Sequence, residues 1–210
     1  MDKQEFDKIF NLYLLCNKLK TTLRQGWLSW KYGGERTESI AEHIFGTCML
    51  TVGIYSSRKM DIDIQKVITM LALHETEEIL IGDITPFDFD KLITKEELGR
   101  EAVLQVFKDF DNAGEFISLI DEFNENKTKE AQFANQCDKF EADLQAYLYQ
   151  KDFQLDKVSQ NIWEDKRIIN LKNHGYNKIC ELFLQNDKIK FSGVILEMAE
   201  NLEKMEKEDA

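Results

Sequence analysis

Two of the three histidines in this chain sit on or beside apolar helical stripes, and one of them leads directly into a run of carboxylates. That run lies in LALHETEEILIGD, Leu71 to Asp83. Here Val67, Met70, Leu71, His74, Glu78 and Ile81 follow three-four spacing and share one helix face. His74 and Glu78 therefore continue a buried stripe, and a carboxylate in such a place is costly unless it is paired or bound to something. Glu75 follows His74 by about a hundred degrees around the helix, so both can reach one ion against the helix edge. In SIAEHIFGTCMLTVGIYSSR, His43 lies beside the stripe Ile40, Ile44, Thr47, Thr51 and Ile54. In EAQFANQCDKFEADLQA, a face of Ala131, Ala134, Asp138, Ala142 and Gln145 sets one carboxylate among small residues, where another helix or an ion can approach closely. Taken singly, each has an ordinary explanation: a satisfied core histidine, a solvated acidic face, a capping aspartate. Their recurrence argues for one site. Two imidazoles and two carboxylates, from His43, His74, Glu75 and Asp138, suit a borderline divalent ion such as manganese, iron, cobalt, nickel or zinc.

Other metal chemistries fit less well. HETEE begins like H-E-x-x-H, but position 78 is Glu, so the two-histidine zinc helix is missing. A ferritin-like di-iron site needs E-x-x-H pairs, and the residues three before His43, His74 and His174 are Ile40, Leu71 and Leu171. No P-loop and no G-x-G-x-x-G is present.

The elements that must carry these groups read as helices almost throughout. A first helix is expected from about Lys3 to Leu23, then a loop, RQGWLSWKYGGERTE, with two adjacent glycines. Ser39 and Glu42 have capping-box spacing, and Asp61 or Asp63 can cap a helix running to Ile81, with Gly82 just past its end. DITPFDFD is expected as a loop around the one proline. A further capping box is read at Thr94 and Glu97, and two more helices in GEFISLIDEFNEN and TKEAQFANQCDKFEADLQAYLYQ. The residues after Gln150 give weaker patterns, and EMAENLEKMEKEDA reads as a solvated helix end. The expected fold is a single all-α domain of roughly seven to nine helices, residues 1–210, with the motifs in about 13–150.

Composition bounds the partners. The chain has 210 residues, 43% of them hydrophobic, enough for a sizeable core, and no apolar run long enough to span a bilayer. Its net charge of −12 disfavours a long nucleic acid. A small anionic substrate is compatible where a metal or a few basic residues supply local positive charge. No signal peptide is evident. The four cysteines form no C-x-x-C pair and read as small buried residues of a reducing compartment, which makes the cytoplasm the expected location.

TESIAEH, then LALHETEEILIGDITPFD, then CDKFEADLQAYLY, in that order, resemble the HD-domain metal-dependent phosphohydrolases, and most closely their 5'-deoxynucleotidase branch. The resemblance spans about Tyr13 to Gln150. It implies an HD-domain helical bundle and one divalent ion (manganese, cobalt, iron, nickel, zinc or magnesium) held by His43, His74, Glu75 and Asp138. It also implies catalytic roles for Glu78 and Asp83, with Asp83 on the substrate side. Upstream, the family places an arginine shortly before a tryptophan at the phosphate. Arg24, three before Trp27, is the first candidate, and Arg36 is the second. The namesake His-Asp pair is His74-Glu75 here, one methylene longer with the same ligand type. The implied activity is removal of phosphate from (deoxy)nucleoside monophosphates, in a homodimer. The alternatives are an HD-fold hydrolase of a nucleoside polyphosphate, and a non-catalytic module that binds a nucleotide or a partner protein.

Overall fold

The computed structural model describes residues 1–30, 36–85, 88–153 and 157–208, the side chains of 89–94 aside. The expected glycine pair at 33–34 and the proline at 86 lie outside the described residues. The helices are α1 Lys3–Cys16, α2 Gln25–Ser29, α3 Ile40–Ser57, α4 Ile64–Leu73, α5 Glu78–Ile81, α6 Phe89–Phe107, α7 Gly114–Glu125, α8 Lys129–Tyr149, α9 Gln160–Trp163, α10 Lys166–Asn173, α11 Ile179–Asp187 and α12 Gly193–Glu208. Among the described residues nine of these have eight residues or more, and pairing of extended backbone is limited to one isolated antiparallel bridge, Leu23 with Ser39. The expectation of an all-α fold is met, and the roughly seven to nine helices expected correspond to the nine longer ones, with three short helices in addition among the described residues.

Helix α8 is the pillar. Its buried residues, among them Ala131, Ala134, Cys137 and Phe140, join α4 (Val67, Met70, Leu71), α11 (Cys180, Leu184) and α12 (Ile195, Ala199, Leu202) in one apolar core. A second core gathers Trp27 and Trp30 with Ala146, Ile162, Ile168, Ile179 and Leu182. Each large side chain buried this way contributes about 1.5–3 kcal/mol, so the C-terminal helices are part of the fold's foundation. The last helix is therefore no solvated end. Ala199 and Leu202 are buried, and so is Glu206, which accepts hydrogen bonds from Lys178 and from Gln150 Nε2.

Several boundaries differ from the sequence reading, for local reasons. The first helix stops at Cys16 and tightens into a 3₁₀ turn, Asn17–Lys20. There the Asn17 side chain donates to the Tyr13 carbonyl and the Thr21 and Thr22 hydroxyls donate to that of Lys18, so side chains compete with the helix ladder. The expected loop after it holds α2. Thr94 lies inside α6, which already starts at Phe89 and whose N-cap is Asp88. Of the four cysteines, Cys137 and Cys180 are buried, Cys48 is partly so, and Cys16 is exposed; all are unpaired. The Ser39–Glu42 capping box and the Asp63 cap are both formed.

Candidate metal centre and cavity

The predicted helix through His74 breaks at that residue. α4 ends at Leu73, and α5 begins only at Glu78. Between them the backbone closes three-residue steps, Thr76 N–H to the Leu73 carbonyl and Glu78 N–H to that of Glu75. The imidazole Nδ1 of His74 takes the Leu71 carbonyl at 2.7 Å, and the Thr76 hydroxyl takes that of Leu73 at 2.6 Å. Polar side chains thus occupy carbonyls at the helix end, and the tighter turn carries Glu75 into the same space as His74. Gly82, at φ 74°, ends α5 in a conformation that favours glycine.

Four groups converge there. One ligand atom from each of His43, His74, Glu75 and Asp138 lies within 4.8 Å of the other three. His43 stands in the first turn of α3, fixed by the Ser39 cap. Its Nε2 is 2.9 Å from Asp138 Oδ1 and 3.8 Å from Glu75 Oε1. His74 Nε2 is 3.5 Å from Glu75 and 3.6 Å from Asp138. This buried nitrogen has no hydrogen-bond partner. With Nδ1–H donated to the Leu71 carbonyl, the Nε2 lone pair faces the cluster, the tautomer a metal ligand requires. An orphaned imidazole nitrogen and two carboxylates at this spacing fit a divalent cation.

The sequence reading missed a fifth participant. Glu141, three residues past Asp138 on α8, holds His43 Nδ1 at 2.6 Å. A carboxylate on the outer nitrogen of a histidine fixes its ring orientation and raises its basicity as a ligand. Gly46, one turn after His43, makes room for it, because a Cβ there would collide with Oε1 of Glu141. The signal was present as the D-x-x-E spacing of Asp138 and Glu141, which places both on one helix face.

Arg24 reaches the cluster because the strand-like residues around it are pinned to the start of α3. Arg24 N–H donates to the Glu38 carbonyl, and Ile40 N–H to that of Thr22. Its Nη1 then donates to Glu75 at 2.9 Å. Burial works against the guanidinium charge, but Glu75, Asp83 and Asp138 outweigh it and raise the pKa. Trp27 is buried, and its Nε1–H donates to Glu38 at 2.7 Å. Asp83 accepts from the Gln25 N–H at 2.6 Å. Arg36 instead lies at the surface, 75% exposed and paired with Glu42, outside the cluster.

The acidic groups have divergent protonation. Burial opposes ionisation of Asp138, but its hydrogen bond with His43 and the nearby imidazole of His74 hold it well below the usual carboxylate range. Burial raises Glu78 to about 10, helped by the negative charges of Glu75 and Asp83. Asp83 is also raised, chiefly by burial, with Arg24 opposing. Burial and Arg24 oppose protonation of His43, yet its bonds to Asp138 and Glu141 lift it to about 9.

Arg24, Trp27, His74, Glu75, Glu78, Asp83 and Asp138 all face one cavity of about 750 Å³, whose far wall is built by α10 and α11. Basic side chains, a potential ligand cluster and two further carboxyl groups on one cavity can bind a cation and an anionic ester side by side.

Comparison with known proteins agrees. The family described as HD domain matches residues 16–174, and the chain belongs to that family. Its curated relatives include 5'-deoxynucleotidases. The 5'-deoxynucleotidase HDDC2 of Dictyostelium discoideum is 35% identical over 149 residues, 66% of this chain and 76% of its own length. The 5'-deoxynucleotidase hdd1 of Schizosaccharomyces pombe is 31% identical over 164 residues, 74% of this chain and 80% of that one. A conserved hypothetical protein from Pyrococcus furiosus has a similar structure, with 26% identity and a TM-score of 0.59 over 79% of this chain and 97% of that one. A predicted metal-dependent phosphohydrolase from Magnetospirillum magnetotacticum shares the fold, with 24% identity and a TM-score of 0.65 over 95% and 91% of the two chains.

Proposed function

We propose that this protein is a metal-dependent 5'-nucleotidase that removes phosphate from (deoxy)nucleoside monophosphates. The observation that carries the reading is the convergence of His43, His74, Glu75 and Asp138, with an unpartnered His74 nitrogen, at a cavity that His74, Glu75 and Asp138 share with Arg24. Relatives named as 5'-deoxynucleotidases support the substrate class.

His43, His74, Glu75 and Asp138 would hold a divalent ion. Such an ion lowers the pKa of bound water and neutralises phosphate oxygens. The chain's own groups do the rest. Arg24 is held protonated at the cavity's acidic end and can exchange its bond to Glu75 for phosphate oxygens. Trp27 anchors the short helix that carries this arginine. Hydrolysis forms a P–O bond from water and breaks the bond to the 5'-oxygen, which takes up a proton. Glu78 and Asp83 face the same cavity and are the groups that receive and return that proton. Lys95, Lys139, Arg167 and Lys190 line the cavity with Arg24, so the choice of a monophosphate rests on the relatives' names and not on a scarcity of basic residues.

The reading extends to one domain, acting as a cytoplasmic homodimer. Four unpaired cysteines are in keeping with a reducing compartment. For the dimer, α1 buries none of its own residues and exposes Phe6, Ile9, Phe10 and Tyr13, and α3 exposes Phe45 and Met49 one turn apart. Apolar faces of this kind mark association surfaces. Light scattering at micromolar concentration tests it, and a monomer mass refutes it. The activity is tested by phosphate release from a panel of nucleoside mono- and triphosphates, with manganese, cobalt, magnesium and zinc each added. Release from monophosphates is expected. Release from triphosphates alone, or from none, contradicts the reading.

A further inference from the structure

The cavity continues beyond the ligand cluster to α11 and the 3₁₀ turn that follows it. Phe183, Asn186, Asp187 and Lys190 all line it there. These positions follow three-four spacing, so one helical face presents an aromatic ring, an amide, a carboxylate and an ammonium in a row. The phosphoryl chemistry uses none of them.

The helix behind this row is firmly seated, with Leu182 and Leu184 buried in the two cores. The Phe183 ring stacks on Trp27 at 5.1 Å between centroids with 15° between planes, and it also packs on Trp30. Trp27 sits on the same short helix that delivers Arg24. One element therefore joins the anion-binding end to the aromatic end. Asn186 donates one amide hydrogen to Asp187 at 3.2 Å. Its carbonyl oxygen and second N–H form a neighbouring acceptor and donor.

That combination matches a nucleobase. Every base has a π face that stacks on aromatic side chains, and its edge offers adjacent donors and acceptors that a carboxamide can engage in pairs. A cavity of about 750 Å³ is within the range that holds a ligand of nucleotide size. With the phosphate at the cluster, the rest of the nucleotide must extend along this cavity.

We infer that the cavity-facing row of α11 is the nucleobase subsite, with Phe183 flooring the base and Asn186 reading its edge. The inference rests on the nucleotidase reading above. It is tested with Asn186→Ala and the milder Phe183→Leu, measuring kcat and KM for the four deoxynucleoside monophosphates and for deoxyribose 5-phosphate, which lacks a base. Loss of one neutral hydrogen bond should raise nucleotide KM roughly three- to ten-fold in Asn186→Ala. Loss of stacking should raise it roughly ten-fold in Phe183→Leu. In both, the preference for nucleotide over deoxyribose 5-phosphate should fall by the same factor, with kcat little moved. An unchanged preference in both variants overturns the subsite, as does a KM rise shared equally by the base-free substrate. If the wild type hydrolyses no nucleotide, the nucleotidase reading fails, and calorimetric titration with the same nucleotides decides the subsite separately. Weaker binding by the variants would uphold it, whereas equal binding or none would overturn it.

Discussion

At the α4–α8 end of the cavity, four ligand atoms lie within 4.8 Å of one another, and His43 is completely buried with both ring nitrogens engaged. At the α11 end, Phe183, Asn186 and Asp187 are only half-buried, and their polar contacts run to neighbours on the same helix or the turn after it. The contrast follows from desolvation. A buried polar group needs a specific partner or it costs stability, so the first end requires particular residue types at particular spacings. A half-exposed wall can exchange water for ligand, and many side chains serve there. The first end should therefore break sharply under conservative substitution, and the second should shift by small factors.

The largest effect is expected at Glu78. Glu78→Gln keeps shape and removes the exchangeable carboxyl, so turnover should fall roughly a hundred-fold or more while metal content and nucleotide affinity stay level. Loss of metal together with activity would make Glu78 a ligand. Unchanged turnover would move the proton-transfer role to Asp83.

Glu141→Gln should come next. It leaves the four ligands intact but weakens the brace on His43, so metal affinity should fall roughly ten- to a hundred-fold, read by metal titration of the chelator-treated protein. Wild-type affinity would reduce the 2.6 Å contact to a structural one.

Asp143 gives a smaller effect, on stability. It is fully buried under α11, and neither oxygen has a hydrogen-bond partner. Burial and Asp187 push its carboxyl well above the usual range, against the pull of Lys190 and Lys139. The folded chain thus keeps a proton that the unfolded chain releases. The stability this group contributes is full below the ordinary carboxylate pKa and is lost as pH rises toward the folded value. Asp143→Asn has no proton to lose, so its stability relative to wild type should be greater at pH 8 than near pH 4. Urea melts at both pH values measure it, and a pH-independent gap would contradict the linkage.

Arg36→Ala should do least. Its exposed pair with Glu42 is worth about 0–1 kcal/mol, and nucleotide KM should not change. A large rise in KM would bring this residue back to the phosphate.

The same contrast explains what could be read from the sequence. His74 and Asp138 were readable as candidates because each sets a group that is costly to bury on a helix face that three-four spacing marks as inward, while His43 was read from its place beside an apolar stripe and Glu75 from its place next to His74. The all-α architecture was legible from the same periodicity. Asp83 and Arg24 needed family resemblance, since neither lies on such a stripe, and spacing could not choose between Arg24 and Arg36. The helix break at His74 escaped because side-chain bonds to the Leu71 and Leu73 carbonyls override a continuous apolar pattern. The α11 wall escaped for the opposite reason. Phe183, Asn186, Asp187 and Lys190 look like any amphipathic helix rim until the fold lays them along the cavity.

The most direct test of the central claim is elemental analysis of protein purified without chelator, with wild type and His74→Ala side by side. A bound divalent ion in each wild-type chain, lost from the variant while its helical circular dichroism is retained, is the predicted result. Equal metal content in the two would contradict the assignment of His43, His74, Glu75 and Asp138 as the metal-holding set.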